Sequence, residues 1–312
     1  RLYTEDVIDM VNDLNLPRYG LGNYLIDGVE ANATPQEKVM MDNLSRAGKR
    51  LKGFCRTNLF KRLESSGKAF ILSVGRHIIR NYIYVYAIEN RAPLPIGALD
   101  ADLFDTLTND EDTDSLLTSQ TLLEYSDDDS NGDSVDNDNP SPDQFTDEWF
   151  RDTAEKMYKM YRERYKNKRR FKWIESTLFN DQLKEDIIED ASNLIGLLKD
   201  NSEWNASRDA KLKKLRTLLT KEHPDKKILI FTQFADTVRY LYEELKDIGS
   251  IAQVTGQTDD PTEVAYRFSP VSNQKEVAPK DELRVVITTD VLSEGQNLQD
   301  CAIVVNFDLP WA

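Results

Sequence analysis

The feature that most constrains this chain is a set of short apolar runs near its C-terminal end, each closing on small polar residues. Residues 227–233 read KILIFTQ, and residues 283–311 read LRVVITTDVLSEGQNLQDCAIVVNFDLPW. Runs that are apolar at every position bury both faces. That is the mark of a parallel sheet covered by helices on each side. The spacing predicts a helix over 209–220, a strand over 227–233 and a helix over 235–247. It then predicts a strand over 250–255, a helix over 262–268 and a strand over 283–289. A short helix and a last strand over 302–307 complete the unit. The fold class is therefore α/β, with a parallel sheet, preceded by a helical region.

The N-terminal two thirds read differently. Residues 1–34 carry Pro17, Gly20, Gly22 and Gly28 and are expected to be irregular. Thr34-Pro35 has the form of an N-cap followed by Pro at the first helical position, and predicts a helix over about 36–46. A longer helix is expected over about 57–89, where Leu59, Leu63, Phe70, Val74, Ile78, Tyr82 and Tyr86 recur at near-helical spacing. Its tail, IIRNYIYVY, has the β-branched and aromatic content of a strand. Residues 146–199 are read as helical again. The expected organisation is a helical region over 1–97, an acidic insertion over 98–145, a basic helical region over 146–208 and the α/β unit over 209–312.

Charge is unevenly spread. The net charge of −15 would argue against a nucleic-acid partner, yet residues 92–150 hold 17 of the 55 acidic residues and none of the 40 basic ones. Elsewhere the two signs nearly balance. The segment SDDDSNGDSVDNDNPSPD cannot bury enough apolar surface to offset chain entropy, so the insertion is expected to be mostly disordered. Asp127, Asp129, Asn131 and Asp133 alternate as in a calcium loop, but Asp138 stands where a closing Glu is expected. Residues 151–173 are basic, with ten Lys/Arg against three Asp/Glu, interleaved with Tyr158, Tyr161, Tyr165, Phe171 and Trp173. That mixture suits phosphate contact and base stacking, or else a solvated helix whose aromatic residues enter a core. Two cysteines and two histidines, all far apart, give neither a disulfide framework nor a metal-ligand cluster. With no apolar run long enough to span a bilayer, a reduced cytoplasmic setting without membrane contact is expected.

The candidate functional residues lie where the strands end. The first delivers Thr232 and Gln233, the second Thr255 and Gly256. The third delivers Thr288, Thr289 and Asp290, followed by Ser293, Glu294, Gly295, Gln296 and Asn297. Short hydroxyls and backbone N–H groups at strand-to-helix turns suit phosphate contact. Gly295 lets the backbone approach a ligand closely.

These segments resemble a known family. ILIFTQFADTVRYL is similar to motif IV of Snf2-type superfamily 2 helicases, and TTDVLSEGQNLQDCAIVVNFDLPW to motif V and the strand after it. The pattern resembles the bacterial Snf2-like group, which includes the RNA-polymerase-associated recycling ATPase and helicases carrying a phospholipase D-like nuclease domain. RTNLFKRLESSGKAF and RFSPVSN also resemble segments between the motor motifs of the latter. The likeness covers about 209–311 and, less closely, 50–90.

What the resemblance implies is the second RecA-like lobe of an ATP-driven motor on double-stranded DNA. Thr232, Gln233, Thr255, Gly256, Thr289 and Ser293 would face nucleic acid. Gly295 and Asn297 would lie nearest the nucleotide, and Asp308 and Trp311 would couple the lobes. ATP and Mg²⁺ are the implied cofactors, with the magnesium ligands, the phosphate-binding loop and the arginine finger expected outside this chain. A first RecA-like lobe and a nuclease domain are the implied partners. SSGKAF mimics a phosphate-binding loop, but Arg62 replaces its first glycine and Ala69 its hydroxyl residue. The chain is accordingly read as a fragment with no catalytic residue of its own. Three other readings stand beside this one: the motor of a defence nuclease, a non-catalytic binding module whose acidic block mimics DNA, and a nucleotide-sugar transferase with a similar sheet.

Overall fold

A computed structural model describes residues 2–29, 34–96, 145–164, 172–201, 204–292 and 295–308. The acidic block and its calcium-like loop lie outside the described residues, as do Tyr165, Phe171, Ser293, Glu294 and Trp311. The chain divides into two compact units: residues 1–61 with 70–202, and residues 62–69 with 203–312. The helical segments on either side of the acidic block thus share one unit. Eight residues from the middle of the long helical stretch join the α/β unit.

The helical unit opens with α1 (Glu5–Asp13), a helix inside the stretch expected to be irregular, followed by two single 3-10 turns, Pro17–Tyr19 and Leu21–Tyr24. Its apolar positions Val7 and Val11 are four apart and buried, so one face suffices to hold the helix. The next helix, α2 (Pro35–Ser65), starts at Thr34 in a reciprocal capping box. The Glu37 N–H donates to the Thr34 hydroxyl at 3.3 Å, and the Thr34 N–H donates to the Glu37 carboxylate at 2.8 Å. After a break comes α3 (Gly67–Glu89), which remains helical through IIRNYIYVY because Ile78, Ile79, Tyr82, Ile83 and Val85 are all buried. Core packing overrides the strand propensity of that run.

Strand β1 (Leu94–Ile96) pairs antiparallel with β2 (Lys172–Ile174), a ribbon inside what the pattern marks as helix. Helices α4 (Asp147–Arg164) and α5 (Gln182–Asn201) complete the unit. One apolar and aromatic face of α4 is core. Phe150, Met157, Tyr158 and Tyr161 are at most 5% exposed, and Phe150 stacks with Tyr82 at 6.4 Å. Of the two uses for the basic aromatic segment, base stacking is therefore closed to Tyr158 and Tyr161.

The α/β unit follows the pattern closely. Helix α6 (Ala210–Thr217) is capped by the Asp209 carboxylate, which accepts from the Leu212 N–H at 3.0 Å. Then come β3 (Ile228–Phe231), α7 (Ala235–Leu245), β4 (Ile251–Val254), α8 (Pro261–Phe268), β5 (Val285–Thr288) and β6 (Ile303–Asn306). The sheet runs β4-β5-β3-β6, all parallel. Its side chains alternate between two cores. Ile228, Ile230, Val285 and Ile287 pack with Leu212, Leu215, Val238 and Leu241 of α6 and α7. Leu229 and Val286 pack on the opposite face with Val254, Phe268 and Leu292. Each fully buried Ile or Val here contributes roughly 1.5–3 kcal/mol.

Candidate functional site

Parallel pairing sets the strand ends level. Val254, Thr288 and Phe231 are partners across β4, β5 and β3, so the next residues form a row of threonines: Thr255, Thr289, Thr232. Neighbouring strands in a sheet lie about 4.8 Å apart. Bonds from the Thr232 N–H to the Thr288 carbonyl, at 3.0 Å, and from the Thr289 N–H to the Val254 carbonyl, at 3.2 Å, continue the ladder into this row. One residue further on stand Gly256, Asp290 and Gln233. The candidate residues from three strands are thus brought together at the carboxyl edge of one sheet, where open α/β folds bind their ligands.

The threonines lie beneath this rim. Thr232, Thr255 and Thr289 are only 5–7% exposed. The Thr232 hydroxyl donates to Asp308 at 2.6 Å, and the same carboxylate oxygen accepts from the Gln233 N–H at 2.7 Å. Asp308, just beyond β6, therefore ties the end of β6 to the end of β3. The Thr255 hydroxyl accepts from the Gln257 N–H at 3.4 Å and fixes the following turn. The Thr289 hydroxyl is buried without a hydrogen-bond partner. Exposed above them are Gly256, Gln257, Asp290 and Gly295.

The segment 62–69 completes the site from far upstream. The Ser65 hydroxyl lies 2.7 Å from that of Thr237 and 3.4 Å from that of Thr232. Lys211 donates to the carbonyls of Glu64 and Ser65 at 3.0 and 3.1 Å, and its ammonium is 3.7 Å from the other Asp308 oxygen. Burial lowers the pKa of Lys211, and the nearby Asp308 opposes that shift. The helix breaks here because the Ser66 hydroxyl caps α3, accepting from the Ala69 N–H at 3.0 Å. Gly67 sits so close to Trp204 that an added Cβ would fall 2.1 Å from the indole ring. This segment is the stretch that mimics a phosphate-binding loop. Its serines and glycine form a docking elbow, a role for which Ser-Ser-Gly inside an apolar helical stripe was the available signal.

The turn after β5 is built separately. Gly295 has φ +73°, in the left-handed region, and is exposed. Asn297 turns its amide inward, donating to the Ser272 carbonyl at 2.8 Å, while its own carbonyl accepts from the Asn273 amide at 2.7 Å. Asp300 accepts from the N–H groups of Val271 and Ser272 at 2.9 and 3.0 Å, and from the Ser272 hydroxyl. Burial alone would raise the Asp300 pKa; these donors outweigh it and hold the carboxylate below its usual range. The segment RFSPVSN is thereby the buttress of the turn carrying Gly295 and Asn297.

Among the described residues no group of three or more His, Cys, Asp or Glu stands together to hold a metal ion. Nor is any described helix long and apolar enough to cross a membrane. Residues 210–312 match the family model for the helicase conserved C-terminal domain. A search of curated proteins gave no match.

Proposed function

We propose, from the premise that residues 210–312 are a RecA-like C-terminal helicase lobe of superfamily 2 type, that this lobe serves an ATP-driven translocase of the Snf2 kind on duplex DNA. Lobes of this family work with nucleic acid and with an N-terminal partner lobe. The observation that carries the proposal is the level row Thr255, Thr289, Thr232 beneath an exposed edge of Gly256, Gln257 and Gly295. Exposed backbone at the carboxyl end of a parallel sheet, fixed from below by short hydroxyls, suits a repeating phosphate chain better than a single shaped ligand.

In this reading Gly256 approaches a backbone phosphate, and Ser293 takes the nucleic-acid role that its motif implies. Thr232, Thr255 and Thr289 set the positions of the turns, and Gln233 is held by Asp308 at the boundary between the strand end and α7. Gly295 and the clamped Asn297 present a rigid turn to the nucleotide. ATP with Mg²⁺ supplies the phosphoryl chemistry when bound between two lobes. Asp308 transmits closure of the lobes to the end of β3, and Trp311 keeps the lobe-coupling role that the motif implies. A nuclease domain joined to such a motor would turn translocation to DNA cleavage.

The test is equilibrium binding of the 312-residue chain to duplex DNA, single-stranded DNA and duplex RNA across a salt series. The expected result is a preference for duplex DNA, with affinity falling steeply as salt rises. Equal affinity for RNA, or binding to none of the three, would overturn the duplex-DNA reading.

A further inference from the structure

Asp236, in the first turn of α7, is 5% exposed and is gripped by two guanidinium groups, one from its own helix and one from far upstream in the chain. Arg62 donates to one carboxylate oxygen at 3.2 Å and Arg239 to the other, also at 3.2 Å. Two guanidinium groups thus meet at one carboxylate. The two arginines differ in exposure. Arg62 keeps only 12% of its side chain accessible, with its guanidinium 4.7 Å from the centre of the Phe234 ring. Arg239 is 37% exposed and donates to the side-chain amide oxygen of Gln257 at 3.0 Å, on the exposed turn after β4.

We propose that Arg239 is a phosphate-binding residue for the nucleic-acid backbone and that Arg62 is its positioning residue, acting through Asp236. This inference rests on the nucleic-acid reading above and deepens it. A guanidinium carries five N–H donors, and the bonds to Asp236 and Gln257 use two. Those two bonds fix the plane of the fork, so little rotamer freedom is lost when it meets a phosphate. Gln257 is exposed on the turn after β4, so its bond holds the Arg239 guanidinium at the rim. A bland surface ion pair within α7 would need neither a buried carboxylate nor a second arginine from 174 residues upstream. Arg62 is also the residue that stands where a phosphate-binding loop has its first glycine. Here that place in the sequence serves phosphate indirectly, by holding Asp236.

The experiment is binding of a labelled DNA duplex to the 312-residue chain and its variants across a salt series, with thermal unfolding of each variant. Arg239→Gln is expected to weaken binding about fivefold to tenfold, equally on unrelated sequences, and to reduce the slope of log affinity against log salt by about one. Arg239→Lys keeps the slope and loses part of the affinity, and it preserves the test if Arg239→Gln fails to fold. Arg62→Gln is expected to weaken binding about threefold with the slope unchanged, because no phosphate-neutralising charge is removed. Wild-type affinity and slope in Arg239→Gln, while the unmodified chain binds duplex, would overturn the inference and leave the lobe's reading intact. A slope reduced by about one in Arg62→Gln would make Arg62 the phosphate contact and overturn its positioning role. An unmodified chain that binds no nucleic acid would overturn both the inference and the reading beneath it.

Discussion

The two units bury similar polar groups to different ends. In the helical unit, Asp190 is 1% exposed and accepts from the N–H groups of Asn15 and Leu16, both at 2.7 Å. His77 is buried with Asn81, and Arg18 donates to both, at 3.3 and 2.7 Å. These groups are enclosed and satisfy chain that must turn, including Leu16 at φ +49°. In the α/β unit, Asp236, Thr232 and Thr255 are buried and Asp308 is nearly so, yet they hold groups at an exposed edge. Burial of polar atoms is therefore no sign of function by itself. What distinguishes the second set is that its partners lead to the turn of Gly256 and Gln257, which solvent and ligand can reach.

The sharpest way to break that contrast is to remove one carboxylate from each set. Asp190→Ala orphans two buried backbone donors and should cost about 3–5 kcal/mol, read by urea unfolding of the helical unit. Asp308→Ala should cost less, about 1–3 kcal/mol, because Thr232 and Lys211 retain contacts with Ser65. Its larger effect should fall on duplex-DNA affinity, since the end of β3 loses its tie to β6. If Asp308→Ala destabilises the fold and leaves binding at the wild-type level, the two sets of buried polar groups are alike and the contrast fails.

The same contrast explains what could be read from sequence. The parallel sheet was legible because ILIF and VVI, at the heart of KILIFTQ and RVVITT, are apolar at every position, and burial on both faces accounts for that. The level row of threonines followed from strand ends that share a residue type. The helical unit was less legible. Helix α1 lies among breakers, and the β1–β2 ribbon pairs three-residue segments from either side of the acidic block, too short for any period to show. Aromatic residues of α4 that suited base stacking are core, because periodicity marks the face and not what covers it. The elbow at 62–69 was illegible as a partner of β3, since nothing local joins Ser65 to Thr237 or Arg62 to Asp236.

A smaller effect tests the enclosed character of the helical unit through pH. Burial, with Arg18 and Arg80 nearby, pushes the pKa of His77 well below its usual 6.5. Arginine can only donate, so the Nδ1 atom facing Arg18 is an acceptor and the ring is neutral. The unfolded chain binds a proton below about pH 6.5 that the folded chain does not. Stability is therefore fully present above that value and falls with acidification, by at most about 1.4 kcal/mol per pH unit for this group. Between about pH 6.5 and 5, His77→Gln should show a flatter stability profile than the unmodified chain. Parallel profiles would mean that His77 is solvated after all.

Gly295 gives the smallest expected change in stability and the finest test of the exposed edge. Its φ of +73° costs an alanine roughly 1 kcal/mol, and an added Cβ meets nothing within 4 Å, so the penalty is conformational alone. Asparagine tolerates the left-handed region better, so Gly295→Asn should recover part of that stability while adding bulk where a ligand would approach. The two variants separate two reasons for a glycine. If the turn is needed only for its shape, ATP-dependent translocation by the two-lobed motor should fall in Gly295→Ala and recover in Gly295→Asn. If the backbone must meet the nucleotide closely, both variants should lose translocation, and Gly295→Asn should lose more despite its greater stability. The bonds of Asn297 and Asp300 to residues 271–273 favour the second outcome, because they fix the chain after Gly295 without using Gly295 itself. Translocation unchanged in both would remove Gly295 from the site.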